Sequence, residues 1–117
     1  MSFMGSLQNS KTAPSELQER LTRAWQLRFN REIEECLTLC TELKTSLGWR
    51  NGQDAEAELN RLSENNPWET VAEVALLWAS LNRALKNVSA SEDLVREIEK
   101  FVWNRDPRGT FHLHFEK

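Results

Sequence analysis

At 117 residues the chain has room for one hydrophobic core, since single cores occupy about 100 to 150 residues. Its 39% apolar and 28% charged residues suit a globular protein better than a disordered one, and with 4 glycines and 3 prolines it has too few breakers for a turn-rich β-sandwich. The net charge of −3 arises from 15 basic residues scattered among 18 acids, so no basic stripe is present to neutralise phosphates or lie on an anionic bilayer, and neither nucleic acid nor membrane is expected as a partner.

No apolar run approaches the roughly 20 residues that span a bilayer. The opening Met1-Ser2-Phe3-Met4-Gly5-Ser6 lacks the charged and apolar regions of a secretory signal. Ser2 stands where myristoylation requires glycine. Cys36 and Cys40 share one helix face, a poor arrangement for a disulfide. The expected location is the cytoplasm.

In chain order, residues 1–14 read as a flexible leader, 15–106 as a helical domain and 107–117 as a C-terminal tail. Ser15-Glu16-Leu17-Gln18 has the form of a capping box. It opens a helix whose apolar positions are Leu17, Leu21, Ala24 and Trp25, with the Arg28 stem covering apolar surface. Phe29-Asn30-Arg31 is the expected turn. The second helix, about 31–47, places Ile33, Cys36, Leu37, Cys40, Leu43 and Leu47 at the i, i+3, i+4, i+7 spacing of a buried stripe. Gly48 suits a left-handed C-terminal closure, with Trp49 folding back as an apolar plug.

Asn51-Gly52 marks a loop, and Asp54 can cap a short helix through Asn65 with Ala55, Leu59 and Leu62 inward. Asn66-Pro67-Trp68-Glu69 announces another start, with Asn66 as N-cap and Pro67 in the first turn. The helix that follows, about 67–86, is the most apolar and is expected at the centre, with Trp78 on its core stripe and Asn87 ending it in the left-handed conformation. Ser89-Ala90-Ser91-Glu92 caps the last helix, whose stripe is Leu94, Val95, Ile98, Phe101 and Val102. Within the tail, Phe111, Leu113 and Phe115 alternate with His112, His114 and Glu116, the period of a strand.

Few residues suggest chemistry. His112, His114 and Glu116 could form an H-x-H-x-E metal set, but a zinc site needs three or four oriented ligands, and a solvated tail is the stronger reading. Cys36 and Cys40 lack further cysteines to complete a metal or cluster site and sit on an apolar stripe, where free cysteine acts as a small hydrophobe. The acid pairs Glu34-Glu35 and Glu56 with Glu58 lie among basic residues, the pattern of a solvated helix face. No nucleophile elbow or glycine-rich phosphate loop occurs. An enzyme is therefore not expected, and no cofactor or metal is assigned. Trp49, Trp68 and Trp103 fall at a helix end, a helix start and a stripe edge, positions that suit interface anchors as well as intramolecular plugs.

The run Ala24-Trp25-Gln26-Leu27-Arg28-Phe29-Asn30-Arg31-Glu32-Ile33-Glu34-Glu35-Cys36-Leu37 resembles a tetratricopeptide hairpin. Ala24 takes a small packing position, Glu34-Glu35 the acidic pair, and Cys36 a small residue usually filled by Ala. Leu77 to Asn87, leading into Ser91 to Phe101, looks alike, with Ala79 answering Ala24. The match departs from the family in its offset of roughly 55 residues against a repeat of about 34. Asn30 and Asn87 also stand where glycine is usual, and the terminal proline is missing.

The resemblance implies antiparallel helical hairpins that bind a protein or peptide on a concave face, within an all-α fold of about five helices. Because such repeats stabilise one another by stacking, it also implies either the N-terminal regulatory part of a longer protein or a homodimer. A self-contained bundle acting as an effector, inhibitor or adaptor is the second reading. A small enzyme or ligand-binding domain with a pocket beside Trp78 is the third.

Overall fold

The structure, a computed structural model, describes residues 14–50 and 54–106. It consists of five helices: α1 (Pro14–Phe29), α2 (Ile33–Leu47), α3 (Ala55–Leu62), α4 (Trp68–Ala84) and α5 (Val88–Arg105). The expected all-α class is what is observed, with no strand among the described residues. The leader up to Ala13, the Asn51-Gly52 turn and the tail bearing His112, His114 and Glu116 lie outside the described residues.

Helix α4 is the hub, as its apolar sequence predicted, and it packs against each of the other four helices. Val71, Val74, Ala75, Leu77, Ala79 and Leu81 on it are wholly buried. Around it, α1 packs on α2 and α3 packs on α5. Leu21 of α1, Leu43 of α2, Leu59 of α3 and Ile98 of α5 bring their stripes to the same core. Each leucine so enclosed contributes about 1.5 to 3 kcal/mol through removal of apolar surface from water.

Trp78 departs from the expected place at the centre. It is half-buried and packs on the core from its edge, because an indole is too large to be enclosed where the neighbouring positions already hold close-packed aliphatics. Its face is covered instead by Lys44, whose Nζ lies 3.6 Å from the ring centroid.

Three helices close in the same way, with a left-handed residue after the last turn. Gly48 has φ 90°, its N–H donates to the Thr45 carbonyl at 3.0 Å, and the Trp49 N–H donates to the Lys44 carbonyl at 2.9 Å. These are the two bonds of a Schellman closure. After α1, Arg31 (φ 64°) takes that place, with its N–H on Arg28 at 3.1 Å and the Glu32 N–H on Leu27 at 2.9 Å.

After α4 the left-handed residue is Lys86 (φ 72°) rather than Asn87. Its N–H meets the Arg83 carbonyl at 3.1 Å, and the Asn87 N–H meets that of Asn82 at 2.7 Å. Asn87 belongs to the next helix as its N-cap, and its carbonyl accepts the Ser91 N–H at 3.0 Å. Helix α5 therefore begins earlier than Ser89-Ala90-Ser91-Glu92 suggested, and Ser91 is a buried residue within it.

A side chain with a Cβ is strained at positive φ. Arg31→Gly and Lys86→Gly are each expected to raise stability by up to about 1 kcal/mol, the relieved strain being partly offset by glycine's greater freedom in the unfolded chain. A higher urea midpoint at unchanged slope would show this.

Two other starts differ from expectation. α1 already includes Pro14, so Ser15 lies inside the helix, and the Gln18 amide donates forward to Thr22 Oγ1 at 3.5 Å instead of reaching back. α4 is capped by Pro67, whose carbonyl accepts the Val71 N–H at 3.1 Å. The Asn66 amide donates to the Leu47 and Leu62 carbonyls at 3.1 and 3.0 Å. It thus satisfies carbonyls left open at the ends of α2 and α3 and ties those ends together. The Asp54 cap is as expected, its carboxylate accepting from the Ala57 N–H at 3.1 Å, although α3 stops at Leu62.

Candidate functional site: an open groove over α4

Helices α1 and α5 both lie against α4, yet neither forms a packed interface with the other. The space between them is a groove of about 650 Å³. Leu76, Ala79, Ser80 and Arg83 of α4 line its base; Leu21, Trp25, Arg28 and Phe29 of α1 line one side, and Ser91 and Val95 of α5 the other. The helical period explains the α1 side: Leu21, Trp25 and Phe29 recur every fourth residue and so share a stripe.

The Trp25 ring is buried and stacks on the exposed ring of Phe29, with centroids 5.6 Å apart and planes 28° apart. Arg28 is half-buried, and its Nε donates to Ser80 Oγ at 2.8 Å, a bond from α1 to α4 that holds the guanidinium in the groove. Arg83, about one helical turn beyond Ala79 and Ser80, is exposed. Glu73 is the one carboxylate among the lining residues. The site therefore carries two cations against one anion, in a chain whose net charge is −3.

The lining holds no histidine or cysteine. Its two serines are Ser80, which accepts from Arg28, and Ser91. Among the described residues no three His, Cys, Asp or Glu side chains group to hold a metal.

The three tryptophans expected as anchors do not line this groove. Trp49 is half-buried at the end of α2, with its ring 5.6 Å from Lys44 Nζ. Trp68 is the half-buried first residue of α4. Trp103, on α5, is 66% exposed. The groove's own aromatics, Trp25 and Phe29, read in the sequence as core and turn. Arg28 read as a stem over apolar surface. Their i, i+3 and i+4 spacing was visible, but the partner face on α4 was not.

Several titratable groups serve the fold instead. Lys44 is 7% exposed and lies between Trp49 and Trp78, and burial lowers its amine below the usual lysine range. A desolvated amine on an indole face gains about 2 kcal/mol or more. Glu58 corrects the expectation of a solvated acid pair: Glu56 is exposed, but Glu58 is buried. Its carboxylate accepts from Arg61 Nη2 and from the Arg50 N–H, both at 2.5 Å, while Arg61 Nη2 also donates to the Gly48 carbonyl at 2.6 Å. The Arg61 hydrogen bond is the main reason the Glu58 carboxyl is held below its usual range.

Cys36 and Cys40 are fully enclosed, as their place on the stripe predicted. The Cys36 thiol donates to the Ala24 carbonyl at 3.3 Å. Burial pushes the two thiols up to about 11 and about 12.

Fold and site together define a class: an all-α chain with a polar-rimmed groove open between helices. No family model matches the chain, and neither a curated protein nor a solved structure is found to be similar to it. No helix among the described residues is long and apolar enough to cross a membrane.

Proposed function

We propose that this chain is a protein-interaction module of the tetratricopeptide-like kind, binding a peptide or another protein in the groove over α4. It would act in the cytoplasm, as the N-terminal regulatory part of a larger protein. The observation that carries this reading is the lining, which comes mainly from the first helix of each hairpin, α1 and α4. A concave face made that way is what stacked hairpins present to a ligand.

Two further features support it. α1 packs on α2, α2 on α4, α1 on α4 and α4 on α5, the neighbour order of two stacked hairpins, while α3 sits outside that order against α4 and α5. The small residues behind the resemblance, Ala24, Cys36 and Ala79, are all fully buried.

The test is to fill the groove from its own wall. Thr22 and Gln26 are exposed residues of α1 that line it. Thr22→Trp with Gln26→Trp should preserve the helical circular dichroism yet abolish binding of peptides selected on the parent from a random displayed library. Selected peptides that bind the parent and the filled variant equally would refute the groove as the binding site.

A further inference from the structure

The groove has the length of a three-turn helix. On α1 the lining runs from Gln18 to Phe29 and on α4 from Glu73 to Arg83, each about 15 Å or slightly more at 1.5 Å per residue, or three turns. Both flanking helices rest on α4, and no other described helix fills the space between them. A further helix laid there would set an apolar stripe against the exposed Phe29 and the half-buried Val95, Leu21 and Leu76 beneath being already enclosed, the ordinary way a helix is recognised in a groove.

The charges decide the partner's polar face. Arg28 gives its Nε to Ser80, and its two Nη nitrogens have no partner among the described residues. Arg83 makes no side-chain hydrogen bond or ion pair there either. A guanidinium offers a rigid fork of donors matched to a carboxylate. Two such forks face one Glu73, so a basic segment would meet repulsion and an acidic one would find partners.

We propose that the groove's occupant is an acidic amphipathic helix of about three turns from another protein, with its apolar stripe over Phe29 and Val95 and its carboxylates on Arg28 and Arg83. This rests on the interaction reading above.

The probe is a synthetic helical peptide of three turns, with leucines at i, i+3, i+4 and i+7 and glutamates elsewhere. Its controls are the same peptide with glutamine, and with lysine, in place of glutamate. Isothermal titration should show the glutamate peptide binding the full chain at least about tenfold more tightly than the glutamine peptide, and the lysine peptide not binding. Arg83→Gln should erase about half of that preference on the logarithmic scale, and adding Arg28→Gln the remainder, the preference being read as the ratio of the two affinities within each variant. Arg83 makes no side-chain bond among the described residues, so Arg83→Gln is expected to keep the parent's urea midpoint, which separates its effect from unfolding.

Equal affinity for the glutamate and glutamine peptides, lost in the filled Thr22→Trp, Gln26→Trp variant, would overturn the acidic partner and leave the interaction reading standing. Binding of any of these peptides that survives filling would count against both. Light scattering that shows the parent to be a dimer, and Arg83→Gln a monomer, would also overturn the proposal by making a second copy the occupant.

Discussion

Leu77→Ala is expected to lower stability by about 3 to 5 kcal/mol, the upper part of the range for emptying a wholly buried leucine. Leu77 is fully buried on α4, the helix that contacts all the others. A cavity there cannot be closed by one neighbour moving in, because each is held from several sides, so the lost contacts add to the lost transfer free energy. Small domains have about 5 to 15 kcal/mol in total, so this change should remove a large share of it. Trp78→Ala should cost less, about 1 to 3 kcal/mol, although the ring is larger. The indole is only partly buried, and its removal costs mainly the cation contact with Lys44 and that partial burial. Urea denaturation of the two variants decides the ranking. If Trp78→Ala proved the more damaging, the core would have to be recentred on the α2–α4 contact.

Alkaline pH should destabilise the protein strongly, by about 4 to 5 kcal/mol at pH 11. Cys36 and Cys40 titrate near 9 when free, and in the fold they are moved to about 11 and about 12. Each unit is worth about 1.4 kcal/mol. Raised values mean that the folded state keeps protons the unfolded chain has lost. Stability is therefore full below about pH 9 and declines through the pH range where the folded thiols ionise.

Lys44 acts the other way. Its lowered value lets the folded state shed a proton that the unfolded chain retains, so stability rises with pH until the ordinary lysine value of 10.5 is passed. One amine opposes two thiols, and the thiols prevail at the top of the range. Chemical denaturation from pH 8 to 11 should show the fall, and Cys36→Ala with Cys40→Ala should flatten it at the expense of some packing. A native chain whose thiols react freely with a disulfide reagent at pH 8 would contradict the burial on which this rests.

How much was legible in the sequence follows from the range of each interaction. The stripe of α2 was readable because Cys36, Cys40, Leu43 and Leu47 repeat at the pitch of the backbone itself. Gly48 and Asp54 were readable because a left-handed closure and an N-cap depend on bonds spanning only a few residues. Asn66 was misread for the opposite reason. Its place before Pro67 satisfied a local rule, but carbonyls of Leu47 and Leu62 offered its amide better partners. Lys86 rather than Asn87 took the left-handed place because α5 begins directly afterwards and uses Asn87 as its cap. Glu58 likewise looked like a surface acid until the chain after α2 returned with Arg50 beside it.

By itself, then, the order of residues determined the helical class, the number of helices, most of the buried stripe of each and α4 as their hub. Apolar periodicity and caps are local, and a helix must hide its stripe wherever it packs. Tertiary structure alone decided the groove, the pairing of Arg28 with Ser80 and the presence of Arg28 and Arg83 in one lining. These depend on how α1 and α5 are set against α4, and residues more than fifty positions apart leave no joint signature in one sequence.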